Sequence, residues 1–126
     1  MKAKLVFFLP ILFWSTLGMS QSKQSATAIE SIEALAKAGD AEAQFKMGEN
    51  YFGKGAKFDL EAATKWYKLA AEQDHPQALF RMGFLAETYL GAKAVKVIVN
   101  YYMRAAKLGV SGAQNNLALM YARGEG

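Results

Sequence analysis

Chemistry needs side chains that can hold a proton, a metal or a nucleophile, and this 126-residue chain offers few of them. It has no cysteine and one histidine, His75. That excludes disulfide scaffolds, thiolate-based zinc and iron–sulfur sites, thiol nucleophiles and any His-pair metal site. Ser20-Gln21-Ser22-Lys23 has the Ser-x-x-Lys spacing of serine acyl-transfer nucleophiles, but no companion Lys-Thr-Gly accompanies it. Gly53-Lys54-Gly55-Ala56-Lys57 is glycine-rich and basic, yet it lacks phosphate-loop spacing and no strand precedes it, so it reads as a turn. A general base at His75 would need a carboxylate or nucleophile held against it. Its near neighbour is Asp74 in a turn, and the residue reads as solvated. Glu30/Glu33 and Glu42/Glu49 read as solvated helix surface, not as acid/base couples. The expectation is no catalytic residue, no cofactor and no metal.

The elements around these residues begin with an address segment. Met1-Lys2-Ala3-Lys4 is a basic head, Leu5 to Leu17 is a nearly continuous apolar run, and Gly18-Met19-Ser20 supplies small residues. This is the pattern of a secretory signal peptide spanning residues 1–20, with cleavage expected after Ser20 or, next, after Ser22. The apolar run is shorter than the roughly 20 residues of a bilayer span, and Pro10 weakens it further. The expected mature chain is therefore exported, periplasmic or secreted, without a stable membrane anchor. Losing Lys2 and Lys4 lowers the net charge from +4 to +2, too little to attract nucleic acid.

Beyond Ser25 the texture is helical and repetitive. A shift of 35 residues carries Ala43, Phe45, Met47 and Gly48 onto Ala78, Phe80, Met82 and Gly83, and Tyr67, Ala70 and Ala71 onto Tyr102, Ala105 and Ala106. Trp66 falls on Tyr101, and a second shift brings Ala78 onto Ala113 and Met82 onto Leu117. Such a period marks stacked units. Each unit reads as two helices. Asp40 caps the first, with Ala43, Met47, Gly48 and Tyr51 facing inward. Asp59 caps the second, with Ala62, Ala63, Trp66, Tyr67, Ala70 and Ala71 facing inward and Glu61 in its first turn. The aromatic set Trp66, Tyr67, Tyr101 and Tyr102 recurs at the repeat period and reads as core.

The pattern Ala43-Gln44-x-x-Met47-Gly48-x-x-Tyr51, Gly53-x-Gly55, Asp59, Ala62-Ala63, Trp66-Tyr67-x-x-Ala70-Ala71 resembles the Sel-one-like repeat, a helical-hairpin relative of the tetratricopeptide repeat. Gly112-Ala113-Gln114 through Tyr121-x-x-Gly124-x-Gly126 restates it. The resemblance implies an all-α fold, an α/α solenoid of stacked helical hairpins. Its parts are a linker and capping helix over 21–37, repeat 1 over 38–72, repeat 2 over 73–107, and the first helix of repeat 3 over 108–126. It also implies scaffolding, envelope-assembly, signalling or host-interaction roles. Some secreted cysteine-rich relatives have been linked to β-lactam binding, which gives an alternative of β-lactam or peptidoglycan-fragment binding or hydrolysis. A truncated, non-functional repeat fragment is another alternative.

Repeat 2 departs from the pattern. Thr88 to Ala94 replaces the Gly-x-Gly turn and the capping Asp, so the turn is expected to reset around Gly91. Val95, Val97, Ile98 and Val99 form a run that alone would favour a strand. Its continuity with Tyr101-Tyr102-Met103-Arg104-Ala105-Ala106 favours helix. Upstream, Ile29, Ile32, Leu35 and Ala36 set one face of a capping helix. Function in such folds resides on residues not needed for stacking, so Phe45, Glu49, Phe52, Phe80, Phe84 and Asn115 are the candidates for binding a protein or peptide partner. The phenylalanines could equally seal neighbouring layers. Self-association through the open C-terminal helix is a further expectation.

Overall fold

Capping residues and small-residue stripes recur at the 35-residue period, and the helices follow them. In the computed structural model, which describes residues 9–53 and 58–126 with side chains from Ser20 onward, the elements are α1 (Leu9–Lys37), α2 (Ala41–Phe52), α3 (Leu60–Glu72), α4 (Pro76–Leu90), a 3-10 turn (Gly91–Ala94), α5 (Val95–Lys107) and α6 (Ser111–Ala122). The basic head, the start of the apolar run and the Lys54-Gly55-Ala56-Lys57 part of the first turn lie outside the described residues. Helices α2, α4 and α6 start 35 residues apart, as do α3 and α5. Each helix packs on the next in sequence, and among the described residues there is no strand. This is an α/α solenoid of helical hairpins.

The caps are local chemistry. Asp40 Oδ1 accepts from the Ala43 amide at 2.7 Å, and Asp59 Oδ1 accepts from the Ala62 amide at 2.9 Å. Each satisfies an amide that the first turn would leave unpaired. The Val95–Val99 run is helical, and the turn before it does reset at Gly91, whose φ is +58°. Without a Gly at position 88, α4 runs to 15 residues against 12 in α2.

Helix α1 continues unbroken through Ser20, the expected cleavage point. Its residues 20–28 are exposed, and contact with the array begins near Ile29. Ile32 and Ala36 pack against Ala43 and Met47, as a cap should. Leu35, expected on that face, is instead 55% exposed. Among the described residues no helix is long and apolar enough to cross a membrane.

The core is organised around two tyrosines. Tyr67 and Tyr102 are fully buried, and their rings lie on the backbone of Gly48 and Gly83. A Cβ on Gly83 would sit 2.7 Å from the Tyr102 ring, and one on Gly48 would overlap Tyr67. Trp66, expected to fill the same layer, is half-buried and packs over Ala36, Ala43 and Met47. Tyrosine therefore fills the inter-helix space, and tryptophan covers its edge.

Neighbouring units are also joined through carbonyls at the ends of their second helices. Gln44 Nε2 donates to the Ala36 carbonyl at 3.2 Å, and Gln114 Nε2 donates to the Ala106 carbonyl at 3.1 Å. The intervening unit has Leu79 at the glutamine position. There Arg104 Nη2 donates to the Ala71 carbonyl at 3.1 Å, while also bonding Asp74 Oδ1 at 2.7 Å. Each of these carbonyls also accepts the amide three residues on, and in the middle unit its side-chain donor has moved from the first helix to the second. Asp74 holds φ +56°, where the corresponding positions in the other units are Gly39 and Gly109.

Candidate functional site

Of the six binding candidates, four are engaged inside the array. Phe45 is half-buried between units, with its ring 4.8 Å from His75 in a stacked arrangement and 6.0 Å from Tyr67. Phe52 lies 6.3 Å edge-on to Tyr67 and beneath the Arg81 guanidinium. Phe80 packs 5.9 Å from Tyr102 and against Gly112. Glu49 accepts from Tyr67 Oη at 2.6 Å and from Arg81 Nε and Nη2 at 2.7 and 2.9 Å. Phe84, at 38% exposed, and Asn115 face solvent.

Two readings of the sequence are corrected here. Glu49, expected to be solvated, is half-buried and joins Tyr67 of its own unit to Arg81 of the next, whereas Glu42 is exposed as expected and in addition bonds His75. His75, expected to be a solvated turn residue, has a side chain only 11% exposed. Its Nδ1 accepts from the Ala78 amide at 3.2 Å, making it the N-cap of α4, and its Nε2 lies 2.8 Å from Glu42 Oε2. A ring whose Nδ1 accepts carries its hydrogen on Nε2 when neutral, so it donates to Glu42. The histidine bonds, caps and stacks at once, which ties α2 to α4.

The electrostatics of these contacts is structural. Burial acts to raise the Glu49 pKa, but bonds from Arg81 and Tyr67 outweigh it, and the carboxyl titrates below its ordinary range. The Glu42 carboxyl is lowered chiefly by its bond to His75. Burial first, and then the bonds to Glu49 and Glu87, push the Tyr67 and Tyr102 phenols up. In the second unit Tyr102 Oη donates to Glu87 at 2.6 Å and accepts from Asn116 at 3.1 Å. Asn116 stands one period after Arg81: Tyr102 bonds the first helix of the following unit directly, and Tyr67 reaches it through Glu49, which Arg81 bonds.

Exposed apolar side chains occur all along the array, among them Leu35, Leu69, Leu108, Leu119 and Tyr121, and three of them converge where repeat 2 departs from the pattern. The extra turn of α4 projects Tyr89 and Leu90, which are 57% and 59% exposed. Across from them stands Val97 on α5, 48% exposed. With Leu60 of α3, Leu85 of α4 and Tyr101 of α5 they line a groove of about 290 Å³. Helical spacing puts Phe84 on another face of α4 from Met82, Leu85, Ala86 and Tyr89. The groove was missed because its parts come from three helices. The signal available for it was the anomaly itself, a missing turn glycine followed by β-branched residues. Ser22 and Lys23, the acyl-transfer pattern, lie on the exposed stretch of α1. Among the described residues no group of three or more His, Asp or Glu is placed to hold a metal ion.

No protein-family model matches the chain. It is 34% identical over 94 residues to a sel1-like repeat-containing protein of Acanthamoeba polyphaga mimivirus, covering 73% of this chain and 17% of that protein. It is 38% identical over 72 residues to protein sel-1 homolog 2 of Mus musculus, covering 55% of this chain and 10% of that one. Among solved structures, it is similar to a Sel1 repeat protein from Oxalobacter formigenes, with TM-score 0.70, 35% identity, and 79% of this chain and 40% of that chain covered. A protective antigen of uropathogenic Escherichia coli strains that displays an SLR fold matches with TM-score 0.65 at 34% identity, covering 77% of this chain and 21% of that one. The chain thus spans less than a fifth of the curated relatives it matches. Solenoids of this kind present extended surfaces on which other proteins dock. With its 35-residue helical hairpins, its tyrosine-on-glycine packing and these relatives, the chain belongs to the Sel1-like repeat family.

Proposed function

We propose that this chain is an exported adaptor that binds a protein or peptide segment in the groove between α3, α4 and α5. The observation carrying this reading is that three exposed apolar side chains of repeat 2, Tyr89, Leu90 and Val97, converge on one apolar groove. They lie where the chain gives up the repeat's standard turn. Apolar surface that serves neither layer packing nor capping is a mark of an interaction site. Export is supported by the basic head, apolar run and small residues of positions 1–20.

The binding test is a single substitution. Val97 is the third residue of α5, where an acidic side chain suits the helix dipole, so Val97→Asp should leave stability within about 0.5 kcal/mol. It should remove binding to partners captured from an envelope fraction by the wild-type chain. Capture that survives Val97→Asp and Tyr89→Ala together would place the interaction elsewhere. For export, chain recovered from the periplasm or medium of an expressing bacterium should begin at Gln21; an intact Met1 on all exported material would refute cleavage.

A further inference from the structure

Charge is divided unevenly along the array. Residues 20–87 hold ten acids and eight cations, whereas residues 88–126 hold five cations and one acid, Glu125. The two walls of the groove differ in the same way: Asp59 and Glu61 flank Leu60 on the α3 side, and the α5 side carries cations. One period separates α3 from α5, and at the start of α5 the capping Asp59 is replaced by Ala94 and the first-turn Glu61 by Lys96. Helix α5 accordingly has no side-chain cap and no acid in its first turn. Lys93 and Lys96 line a second hollow that meets the groove at Val97. Neither lysine is paired with an acidic side chain among the described residues.

We infer that the groove takes an acidic peptide segment, one or two large apolar side chains of which sit among Leu60, Leu85, Tyr89, Leu90 and Val97 while flanking Asp or Glu side chains meet Lys93 and Lys96. This inference rests on the binding function proposed above and specifies its partner. The apolar lining supplies affinity, and the two lysines select negative charge over positive. A nucleic acid would need a longer stripe of cations along its backbone and would leave an apolar groove unfilled. A lipid surface is flat, whereas these side chains line a concavity.

A randomised twelve-residue peptide library selected on the mature chain tests the assignment. Enriched sequences should place Asp or Glu beside Leu, Ile or Phe. Binding of a synthetic representative should weaken at least tenfold in the Lys93→Glu/Lys96→Glu double variant. The same peptide with its acids changed to Lys should bind that variant better than it binds the wild type. Neutral or basic enrichment, no enrichment, or indifference to the charge reversal overturns the inference. Equal or stronger lysine-dependent binding to phosphatidylglycerol vesicles or to a single-stranded oligonucleotide also overturns it. If selected peptides lose binding with Val97→Asp but not with the charge reversal, the groove stands and the acidic partner falls. If Val97→Asp has no effect either, both fall. Thermal melts of each variant, expected to match wild type because all three positions are exposed, exclude unfolding as the cause.

Discussion

At Gly48 the side chain is a hydrogen because the Tyr67 ring occupies the space a methyl would take. Gly48→Ala should therefore destabilise the array by about 1–3 kcal/mol through overpacking, read from the urea unfolding midpoint. Glu49 gives the pH dependence a sign. Its folded pKa lies below the unfolded value, so its contribution is complete above about pH 4.3 and is lost as pH falls through the lower folded value. The melting temperature should fall less steeply between pH 5 and 2.5 in Glu49→Gln than in wild type; parallel curves would show that Glu49 does not carry the dependence. At this scale the alanine, methionine and glycine stripes were legible from period alone. The roles of Glu49 and His75 were not, because their partners lie 32 and 33 residues away and only stacking brings them together. Trp66 and Tyr67 were indistinguishable in sequence as fillers. Depth separates them, since only the tyrosine hydroxyl finds a carboxylate inside.

At the scale of elements, the hairpin of repeat 2 depends on one backbone conformation. Gly91 holds φ +58° and ψ −146°, a region essentially restricted to glycine, and a Cβ there would meet nothing within 4 Å. Gly91→Ala should cost about 1–3 kcal/mol of purely conformational strain, measurable as a shift in unfolding midpoint without a change in helical content. Wild-type stability in that variant would mean that the turn readily adopts another path. The sequence gives a sound reason to expect helix over Val95–Val99, because the run is continuous with a clear helical stripe. It does not show that losing the glycine at position 88 lengthens α4. That extension comes from cooperativity, since a helix with no terminator propagates until something stops it.

Over the whole molecule, stability is a sum of units and the interfaces between them. Amide exchange should be slowest in α2, α3, α4 and α5, which are packed on both sides, and fastest over residues 20–28 of α1, where the helix is exposed. Uniform protection along the chain would contradict that gradient. The helical-hairpin fold was legible from the 35-residue period, whereas the groove was not, because periodicity describes what units share and the groove arises where one differs. The exchange of donors at the Ala71 carbonyl has a consequence for how such a gene can be rearranged. Leu79 and Arg104 belong to the same unit, so duplication or loss of whole units by recombination in the loops between them keeps the pair together. A crossover between α4 and α5 that joined the first helix of this unit to the second helix of its neighbour would set Leu79 with the counterpart of Leu69 and leave the carbonyl one donor short. The reciprocal product would bring both a glutamine and an arginine to the same oxygen. Breakpoints at unit boundaries thus keep the side-chain donor, and a breakpoint inside a unit leaves the Ala71 carbonyl with the Asp74 amide alone.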